Sequence, residues 1–313
     1  MTSAVPDPAA TQTTSGGGKP PPLVVDGHVH AFPDAFIARR AELVARDHWF
    51  GHLYANDRAI LTNADDLLAS MADAGVDHSV VCGFPWSDAG LCREHNDWMA
   101  AAVAAAPGRL SWLAIVAPGA PGAAAEAERC LAMGAAGIGE LNADGQGFAL
   151  DDARTLGDLV TVCVAAGSPV LLHSTEPVGH AYPGKGTATP VRLLRFVSAF
   201  PDLDVVLAHW GGGLPFYELM PEVAAACSRV RYDTAASPYL YRHDILRTAI
   251  GLVGADRIIW GSDYPVLGQR RFLRRTLLTP GLAEADRDAI VGGNAVTTYR
   301  LPLALETPGK DTP

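Results

Sequence analysis

The chain has 313 residues, of which 49% are hydrophobic and 19% are charged, a balance typical of a globular protein. The formal net charge of −10 argues against nucleic acid or an anionic membrane as the main partner. Five scattered cysteines without a C-x-x-C pair exclude a disulfide framework and a zinc ribbon. Because neither a secretory signal nor a bilayer-length apolar stretch is visible, we expect a cytoplasmic protein.

The two ends of the chain differ in composition from its centre. Residues 1–22 are rich in Ser, Thr, Gly, Pro and Ala, which predicts a disordered N-terminal tail. Regular apolar patterns occupy residues 23–303, and residues 304–313 are predicted to form a short C-terminal tail. We therefore expect a single folded domain over residues 23–303.

Short apolar runs that suit buried β-strands recur eight times along this domain. They are Leu23–Asp26, Ser79–Cys82, Trp112–Val116, Gly137–Leu141, Pro169–His173, Val205–His209, Val230–Asp233 and Ile258–Asp263. Such runs, separated by helix-length segments, are typical of parallel strands buried on both faces, and eight of them close a (β/α)8 TIM barrel, an α/β fold. The competing architecture, a doubly wound open sheet, usually carries a glycine-rich fingerprint after its first strand, and the sequence has none there.

Segments with helical spacing of apolar residues lie between these runs. One opens at Thr62-Asn63, which can cap a helix, and stops at Gly75, a natural C-terminal cap. The others are predicted at residues 94–106, 122–133, 151–166, 188–200, 215–228, 242–253 and 283–296. This alternation of strand and helix favours the barrel.

The first run leads into the pair His28 and His30. Because successive side chains of a strand alternate between faces, these two imidazoles point to the same side. Two imidazoles at the exit of a buried strand form half of a divalent metal site. The alternative is a pair of surface or core histidines without a ligand role.

Further imidazoles and carboxylates stand at the ends of later strands, namely Glu140, His173, His209 and Asp263. In a barrel the carboxyl ends of the strands form the active-site face, so these side chains are expected to converge. Each has a structural alternative, since Asp263 can cap the following helix and Glu140 can orient a ligand. Unpaired polar groups are costly to bury at strand ends, so their combination favours a shared metal or catalytic site.

This set of residues resembles the amidohydrolase superfamily over residues 23–300. The shared features are the His-x-His pair, single histidines that end the fifth and sixth strands, and an aspartate that ends the eighth. The turns His209-Trp210-Gly211-Gly212 and Gly261-Ser262-Asp263-Tyr264-Pro265 are most similar to the amidohydrolase-related branch. That branch also contains aminocarboxymuconate-semialdehyde decarboxylase.

The resemblance implies a divalent metal ion, with zinc expected, and a nearby proton carrier, His209. The ligands that it implies are His28, His30, His173 and Asp263. Glu140 departs from the decarboxylase members, which usually lack an acid at this strand end. In several hydrolase branches such an acid bridges two metals, so both one ion and two are considered, with Glu140 as a further ligand.

Glu140 favours hydrolysis of a C–N (amide) or ester/lactone bond of a small organic substrate. A metal-bound water has its pKa lowered to about 7. Asp263 would then act as the general base, and His209 would help to stabilise the oxyanion. The alternative is a metal-dependent non-oxidative decarboxylase of an aromatic or muconate-type acid. A binding protein that keeps the metal only for structure is the third interpretation.

The expected partner is a small-molecule substrate, and ring-bearing residues near the strand ends are candidates to contact it. The predicted substrate-binding residues are Trp49, Trp86, His180 and Trp210. Packing of loops against the barrel rim is the alternative for the tryptophans. Related barrels often dimerise, so a homodimer is the assembly to test, although no pattern marks an interface.

Overall fold

Eight parallel strands form the centre of the fold in the computed structural model, which describes residues 22–304. They are β1 (Val25–His30), β2 (His78–Cys82), β3 (Leu110–Leu113), β4 (Ile138–Leu141), β5 (Val170–Leu172), β6 (Val205–Leu207), β7 (Val230–Asp233) and β8 (Ile258–Ile259). The predicted tails, residues 1–22 and 304–313, lie almost wholly outside the described residues and stay predictions.

Hydrogen bonds between neighbouring strands close the sheet into a barrel. Parallel ladders join β1 to β2 and β2 to β3, and a second set joins β4 to β8 in chain order. Two single bridges connect these sets, one between Ala114 and Ile138 and the other between Val29 and Tyr264. This closure confirms the predicted (β/α)8 barrel and brings the carboxyl ends of all strands to one rim.

Helices follow the strands and cover the outside of the barrel. The α-helical segments are Asp34–Ala38, Arg40–Arg46, His48–Tyr54, Ala64–Ala74, Ala89–Ala105, Ala123–Ala132, Ala143–Gln146, Ala153–Ala166, Pro190–Ala199, Pro221–Ala226, Ser237–Leu240, Ile245–Val253, Gln269–Leu277, Glu284–Asp288 and Asn294–Thr298, and Ala208–Gly211 is a short turn with left-handed residues. Two 3-10 segments, Leu214–Leu219 and Ala255–Arg257, and a π-helical turn, Ala289–Gly293, complete them. Within residues 22–304 no helix has both the length and the apolar character needed to span a membrane.

The helix Ala64–Ala74 has the ends that the sequence predicts. The Asn63 side chain accepts a hydrogen bond from the backbone of Asp66, and the Asp66 carboxylate accepts one from the backbone of Asn63. This reciprocal pair satisfies donors that the first turn of a helix leaves free. Gly75 ends the helix at a φ of 72°, a conformation that favours a residue without Cβ.

Other segments differ from the prediction for local reasons. The helix predicted at residues 215–228 is split, because Pro221 lacks the N–H that would continue the first segment. The eighth strand ends at Ile259, so the residues up to Asp263 leave the sheet as a loop. The three helices within residues 34–54 are only five to seven residues long, too short to show apolar periodicity.

The strand side chains alternate between two buried layers. Val80 and Cys82 belong to an inner cluster, whereas Val81 between them packs in the outer cluster. Tyr299 and Leu301, after the last helix, join the inner cluster. The inside of the barrel is therefore packed with apolar side chains, and the polar side chains of the site lie at its carboxyl rim.

His95 is a buried neutral imidazole whose titration should affect stability. Its Nε2–H donates to the carbonyl of Ala31 at 2.9 Å, and its Nδ1 accepts from the indole of Trp86 at 3.1 Å. Burial lowers the pKa of His95 from 6.5 to about 4, so the unfolded chain takes up a proton below pH 6.5 that the folded chain refuses. The contribution of His95 to the free energy of unfolding therefore decreases as pH falls, by about 2 kcal/mol between pH 7 and pH 5.

Urea unfolding of wild type and His95→Gln at both pH values measures this contribution. Between pH 7 and pH 5 the free energy of unfolding should decrease by about 2 kcal/mol less in H95Q than in wild type. His48→Gln, at an exposed position, is the matched control and should keep the wild-type loss. An equal pH effect in H95Q and wild type would contradict the assignment.

Candidate metal centre

Six side chains that sequence reasoning singled out meet at the carboxyl rim of the barrel. Their potential ligand atoms form two trios, and within each trio all atoms lie within 4.8 Å of one another. The first trio is His28, His30 and Asp263, and the second is Glu140, His173 and His209. β1, β4 and the turns after β5, β6 and β8 supply them, so residues far apart in the chain share one site.

The first trio brings two ring nitrogens face to face. His28 Nε2 and His30 Nε2 are 3.1 Å apart, and Asp263 Oδ1 lies 3.8 Å from the first and 3.4 Å from the second. His28 is completely buried, while His30 and Asp263 each keep a small exposed fraction. A cation placed among these atoms would meet two nitrogens and one carboxylate oxygen.

In His28 and His30 the hydrogen bond at Nδ1 determines which ring nitrogen carries the proton. His28 Nδ1 faces the Asp233 carboxylate at 2.7 Å, and His30 Nδ1 faces the carbonyl of Cys82 at 3.2 Å. Since both partners are acceptors, each Nδ1 carries the proton, which leaves the two Nε2 lone pairs directed at each other. That arrangement requires a positive charge between them, and a divalent metal ion fits these donors.

Glu140 lies between the two trios. Its Oε1 is 2.9 Å from His173 Nδ1 and 3.4 Å from His209 Nε2, and its Oε2 is 3.5 Å from His30 Nε2. His173 Nε2–H donates to the carbonyl of Gly184 at 2.9 Å, so the lone pair of Nδ1 is directed at the carboxylate. A proton or a metal ion is needed here as well, which makes Glu140 and His173 chemically suitable ligands.

The pKa shifts of the two carboxylates and of His209 indicate a site that attracts positive charge. Burial raises the pKa of Glu140, but His173 and His28 outweigh it and hold the pKa well below its ordinary range. Burial likewise raises the pKa of Asp263, but the neighbouring rings of His30, His28 and His209 outweigh it and lower the pKa. For His209, burial lowers the pKa, yet Glu140 and Asp263 raise it to about 9. Both carboxylates are therefore ionised at neutral pH.

The backbone around the two predicted catalytic residues adopts left-handed conformations. His209 and Trp210 have φ of 55° and 59°, and Asp263 has φ of 62°. Non-glycine residues in this region cost about 1 to 3 kcal/mol each, so the surroundings must hold them. Asp233 does so for His209, because its Oδ1 accepts the His209 backbone N–H at 2.8 Å.

A cavity of about 320 Å³ opens directly above these ligand atoms. Its walls are mostly apolar, and they include two of the four predicted substrate-binding residues, Trp49 and His180. Their role in substrate binding stays a prediction.

The other two predicted substrate contacts need correction. Trp86 and Trp210 are fully buried and do not line the cavity. The indole N–H of Trp86 is used by His95, and that of Trp210 by the Ser237 hydroxyl. Buried indoles usually find such a partner, and here both rings serve the packing under the rim.

Asp233 is a site residue that sequence reasoning did not assign. It is completely buried, and its two oxygens bind the His28 ring and the backbone of His209 and Ala235. The available signal was its position at the end of the apolar run Val230–Asp233, where a carboxylate without a partner would be costly. Asp233 therefore positions one histidine of each trio, His28 and His209.

The sequence profile of the amidohydrolase family matches residues 25–301. The chain belongs to the amidohydrolase family. Gamma-resorcylate decarboxylase from Polaromonas sp. strain JS666 is 27% identical over 256 residues, which cover 67% of this amidohydrolase-family chain and 76% of that protein.

Solved structures share the fold of this family member. The 5-carboxyvanillate decarboxylase from Sphingomonas paucimobilis superposes with a TM-score of 0.72 at 21% identity, covering 90% of this chain and 99% of that one. A dihydroxybenzoic acid decarboxylase from Polaromonas sp. JS666, with bound manganese and 2-nitroresorcinol, gives 0.70 at 21% identity, covering 90% and 98%. At these identities the likeness establishes the fold alone.

These relatives correct the main functional prediction. Hydrolysis of a C–N or ester/lactone bond is wrong as the leading interpretation, because the relative that matches this chain in sequence is a decarboxylase. Glu140, which favoured hydrolysis, is a weaker indicator than the sequence similarity to that decarboxylase, which covers 67% of this chain. The findings support the alternative, decarboxylation, instead.

Asp233→Asn tests the tautomer argument. The Asn amide can donate to His28 Nδ1, which would move the ring proton to Nε2 and block that nitrogen as a ligand. We expect roughly 10- to 100-fold weaker binding of Mn²⁺, measured by calorimetric titration of the metal-free protein. Asp244→Asn, an exposed surface position, should bind like wild type. Unchanged affinity in a folded D233N protein would refute the role of Asp233.

Proposed function

We propose that this amidohydrolase-family protein is a metal-dependent, non-oxidative decarboxylase of small hydroxylated aromatic acids. The observation that carries the proposal is the placement of Asp263 beside His28 and His30 at the floor of a mostly apolar cavity. Such a cavity suits a flat ring, and its polar floor suits the carboxylate and hydroxyl groups of the ring. The similarity to gamma-resorcylate decarboxylase supports the same reaction class.

The proposed metal ligands are the four that the family resemblance implies, with Glu140 as a further oxygen ligand to the same ion. They are His28, His30, His173 and Asp263. When bound, the divalent ion would supply Lewis-acid attraction for the acid group and the neighbouring hydroxyl of the substrate. We expect manganese, because a decarboxylase of the same fold contains it, whereas zinc rests on the donor types alone.

Asp263 is proposed as the group that moves the proton. It takes the proton of the substrate hydroxyl next to the carboxylate and delivers it to the ring carbon that bears the carboxylate. The bond between that carbon and the carboxylate then breaks, its electron pair returns to the ring, and carbon dioxide leaves. The products are carbon dioxide and the phenolate of the arene, which has one new C–H bond and regains its hydroxyl proton from water, and no oxidant or reductant is needed.

His209 is proposed to bind the carboxylate that leaves. Its Nδ1–H donates to the carbonyl of Ala235 at 3.1 Å, which directs Nε2 toward the centre. A protonated Nε2 can donate to a carboxylate oxygen beside Asp263, and the pKa of about 9 favours that proton at neutral pH. The left-handed turn at His209 keeps the ring in this position.

Asp263→Asn tests the proton transfer. The amide keeps the shape of the side chain but cannot carry the proton, so kcat for release of carbon dioxide from 2,6-dihydroxybenzoate should fall about 10²- to 10⁴-fold. The assay is carried out at saturating Mn²⁺, with metal content measured in parallel to separate proton transfer from metal loss. Asp65→Asn, on an exposed helix face, should keep wild-type turnover. Wild-type turnover in the metal-loaded D263N protein would exclude the role of Asp263.

Metal removal tests the cofactor. Dialysis against a chelator should abolish release of carbon dioxide, and Mn²⁺ should restore it. Elemental analysis of the reloaded protein should give one ion per chain, since Glu140 lies between the two trios and all five proposed ligands are assigned to the same ion. Two ions per chain would contradict this and would make Glu140 a bridging ligand. Turnover that survives complete metal removal would contradict the proposed function.

A further inference from the structure

A long loop connects β5 to the helix Pro190–Ala199. Its residues 173–189 contain neither a helix nor a strand, and an ordered loop of this length within a compact domain usually has a function. Four of its residues line the cavity above the metal centre, namely His180, Tyr182, Pro183 and Gly184. We refer to residues 182–187 of this loop as the strap.

The strap provides the proton acceptor for one proposed metal ligand. His173 Nε2–H donates to the carbonyl of Gly184 at 2.9 Å, which leaves the Nδ1 lone pair for a cation. The corresponding partners of the other two imidazole ligands belong to strands of the sheet, the side chain of Asp233 in β7 and the carbonyl of Cys82 in β2. The ring orientation of His173 depends instead on the position of a loop.

Asp144 fastens the strap to the segment that follows β4. Its Oδ2 accepts the backbone N–H of Thr187 at 2.7 Å, and its Oδ1 accepts the Thr187 hydroxyl at 2.7 Å. The Arg192 guanidinium donates to the same hydroxyl oxygen, which leaves the hydroxyl proton for Asp144. Hydrogen bonds to a carboxylate are roughly twice as strong as those between neutral groups. A Cβ at Gly186 would overlap with Asp144 Oδ2, so the strap lies directly against this carboxylate.

Asp144 is attached to the barrel through a capped helix. The short helix Ala143–Gln146 follows β4, the strand that carries Glu140. Asn142 caps this helix, since its Oδ1 accepts the backbone N–H of Asp144 at 3.0 Å. The strap is therefore connected through one carboxylate to the strand end from which Glu140 extends.

The other hydrogen bonds of the strap hold it less firmly to the barrel. His52 Nε2–H donates to the Pro183 carbonyl at 2.8 Å, but on the exposed surface, where water competes for both groups. The Lys185 ammonium donates to the carbonyls of Val178 and His180, which belong to the same loop. Within the described residues, Asp144 is thus the charged side chain that joins the strap to the end of a strand.

We propose that Asp144 is a positioning residue for the metal centre. By binding Thr187 through both oxygens, it holds the strap where the Gly184 carbonyl accepts the Nε2 proton of His173. The Nδ1 of His173 is then free to bind the ion. This inference rests on the proposed function, in which His173 is a metal ligand. It also implies reciprocity: a closed strap strengthens metal binding, and bound metal favours the closed strap by the same factor.

The strap contains a protease site that reports whether it is closed. The chain has three lysines, Lys19, Lys185 and Lys310, and of these only Lys185 lies within the described residues. A lysine-specific endoprotease can therefore cut the folded domain only after Lys185, once the strap opens and the ammonium leaves its carbonyl partners. Saturating Mn²⁺ should slow this cut in wild type by about tenfold or more, measured by gel electrophoresis.

Asp144→Ala removes the carboxylate without changing a proposed metal ligand. In the metal-free protein the cut after Lys185 should become about tenfold faster, and calorimetric titration should show roughly tenfold weaker binding of Mn²⁺. Thr187→Val keeps the backbone N–H but lacks the hydroxyl, so it should change both quantities in the same direction by a smaller factor. Thr187→Ser keeps the hydroxyl and should retain the wild-type values. Asp73→Ala is the matched control, because Asp73 pairs with Arg270 on the exposed surface and should affect neither quantity.

The outcomes separate this inference from the proposed function. Faster cutting of D144A with unchanged affinity for Mn²⁺ would make Asp144 an anchor of the loop alone and would refute its role at the metal centre. Mn²⁺ that binds wild type without slowing the cut would refute it as well. If D144A shows both expected effects but wild type releases no carbon dioxide from hydroxylated aromatic acids, the proposed function fails while the role of Asp144 stands. A wild-type protein that binds no Mn²⁺ would overturn both.

Discussion

The hydrogen bond between Asp233 and His28 is the interaction on which the candidate site depends. At 2.7 Å and without solvent exposure, it holds the ring proton on Nδ1 and directs the Nε2 lone pair toward the same group on His30. Two lone pairs held at 3.1 Å create a demand for positive charge, and β1 carries both of them only because Asp233 of β7 fixes the His28 proton. The other oxygen of Asp233 binds the backbone of His209. One carboxylate at the end of β7 therefore organises residues from β1 and from the turn after β6.

The closed barrel stabilises this arrangement of buried polar groups. A converging set of buried imidazoles and carboxylates is unfavourable unless each far-side atom has a partner, and here the partners come from neighbouring strand ends. His30 uses the carbonyl of Cys82 at the end of β2, and His173 uses the carbonyl of Gly184 in the loop after β5. The left-handed backbone at His209 and Asp263 is held by the same network.

The set of metal ligands does not by itself determine which reaction the site catalyses. The same histidines and carboxylates can position a water for hydrolysis or an aromatic acid for loss of carbon dioxide, because a Lewis-acid centre serves both. The choice depends on which substrate atom lies next to Asp263, and the cavity wall determines that. A mostly apolar wall above a polar floor suits a flat ring that carries an acid group. For this reason the acid at position 140 alone misled the functional prediction.

From the sequence, the periodicity of apolar runs determined the barrel, and His28, His30, His173, His209 and Asp263 were recognisable because polar residues at strand ends stand out. Only the tertiary structure decided which neighbours complete them, since Asp233 lies 205 positions from His28 and no local pattern links the two. It also decided that Trp86 and Trp210 are core residues, because an indole near a strand end can turn inward or outward with the same sequence around it. Local spacing encodes secondary structure and strand ends, whereas contacts between distant strands exist only once the barrel has closed.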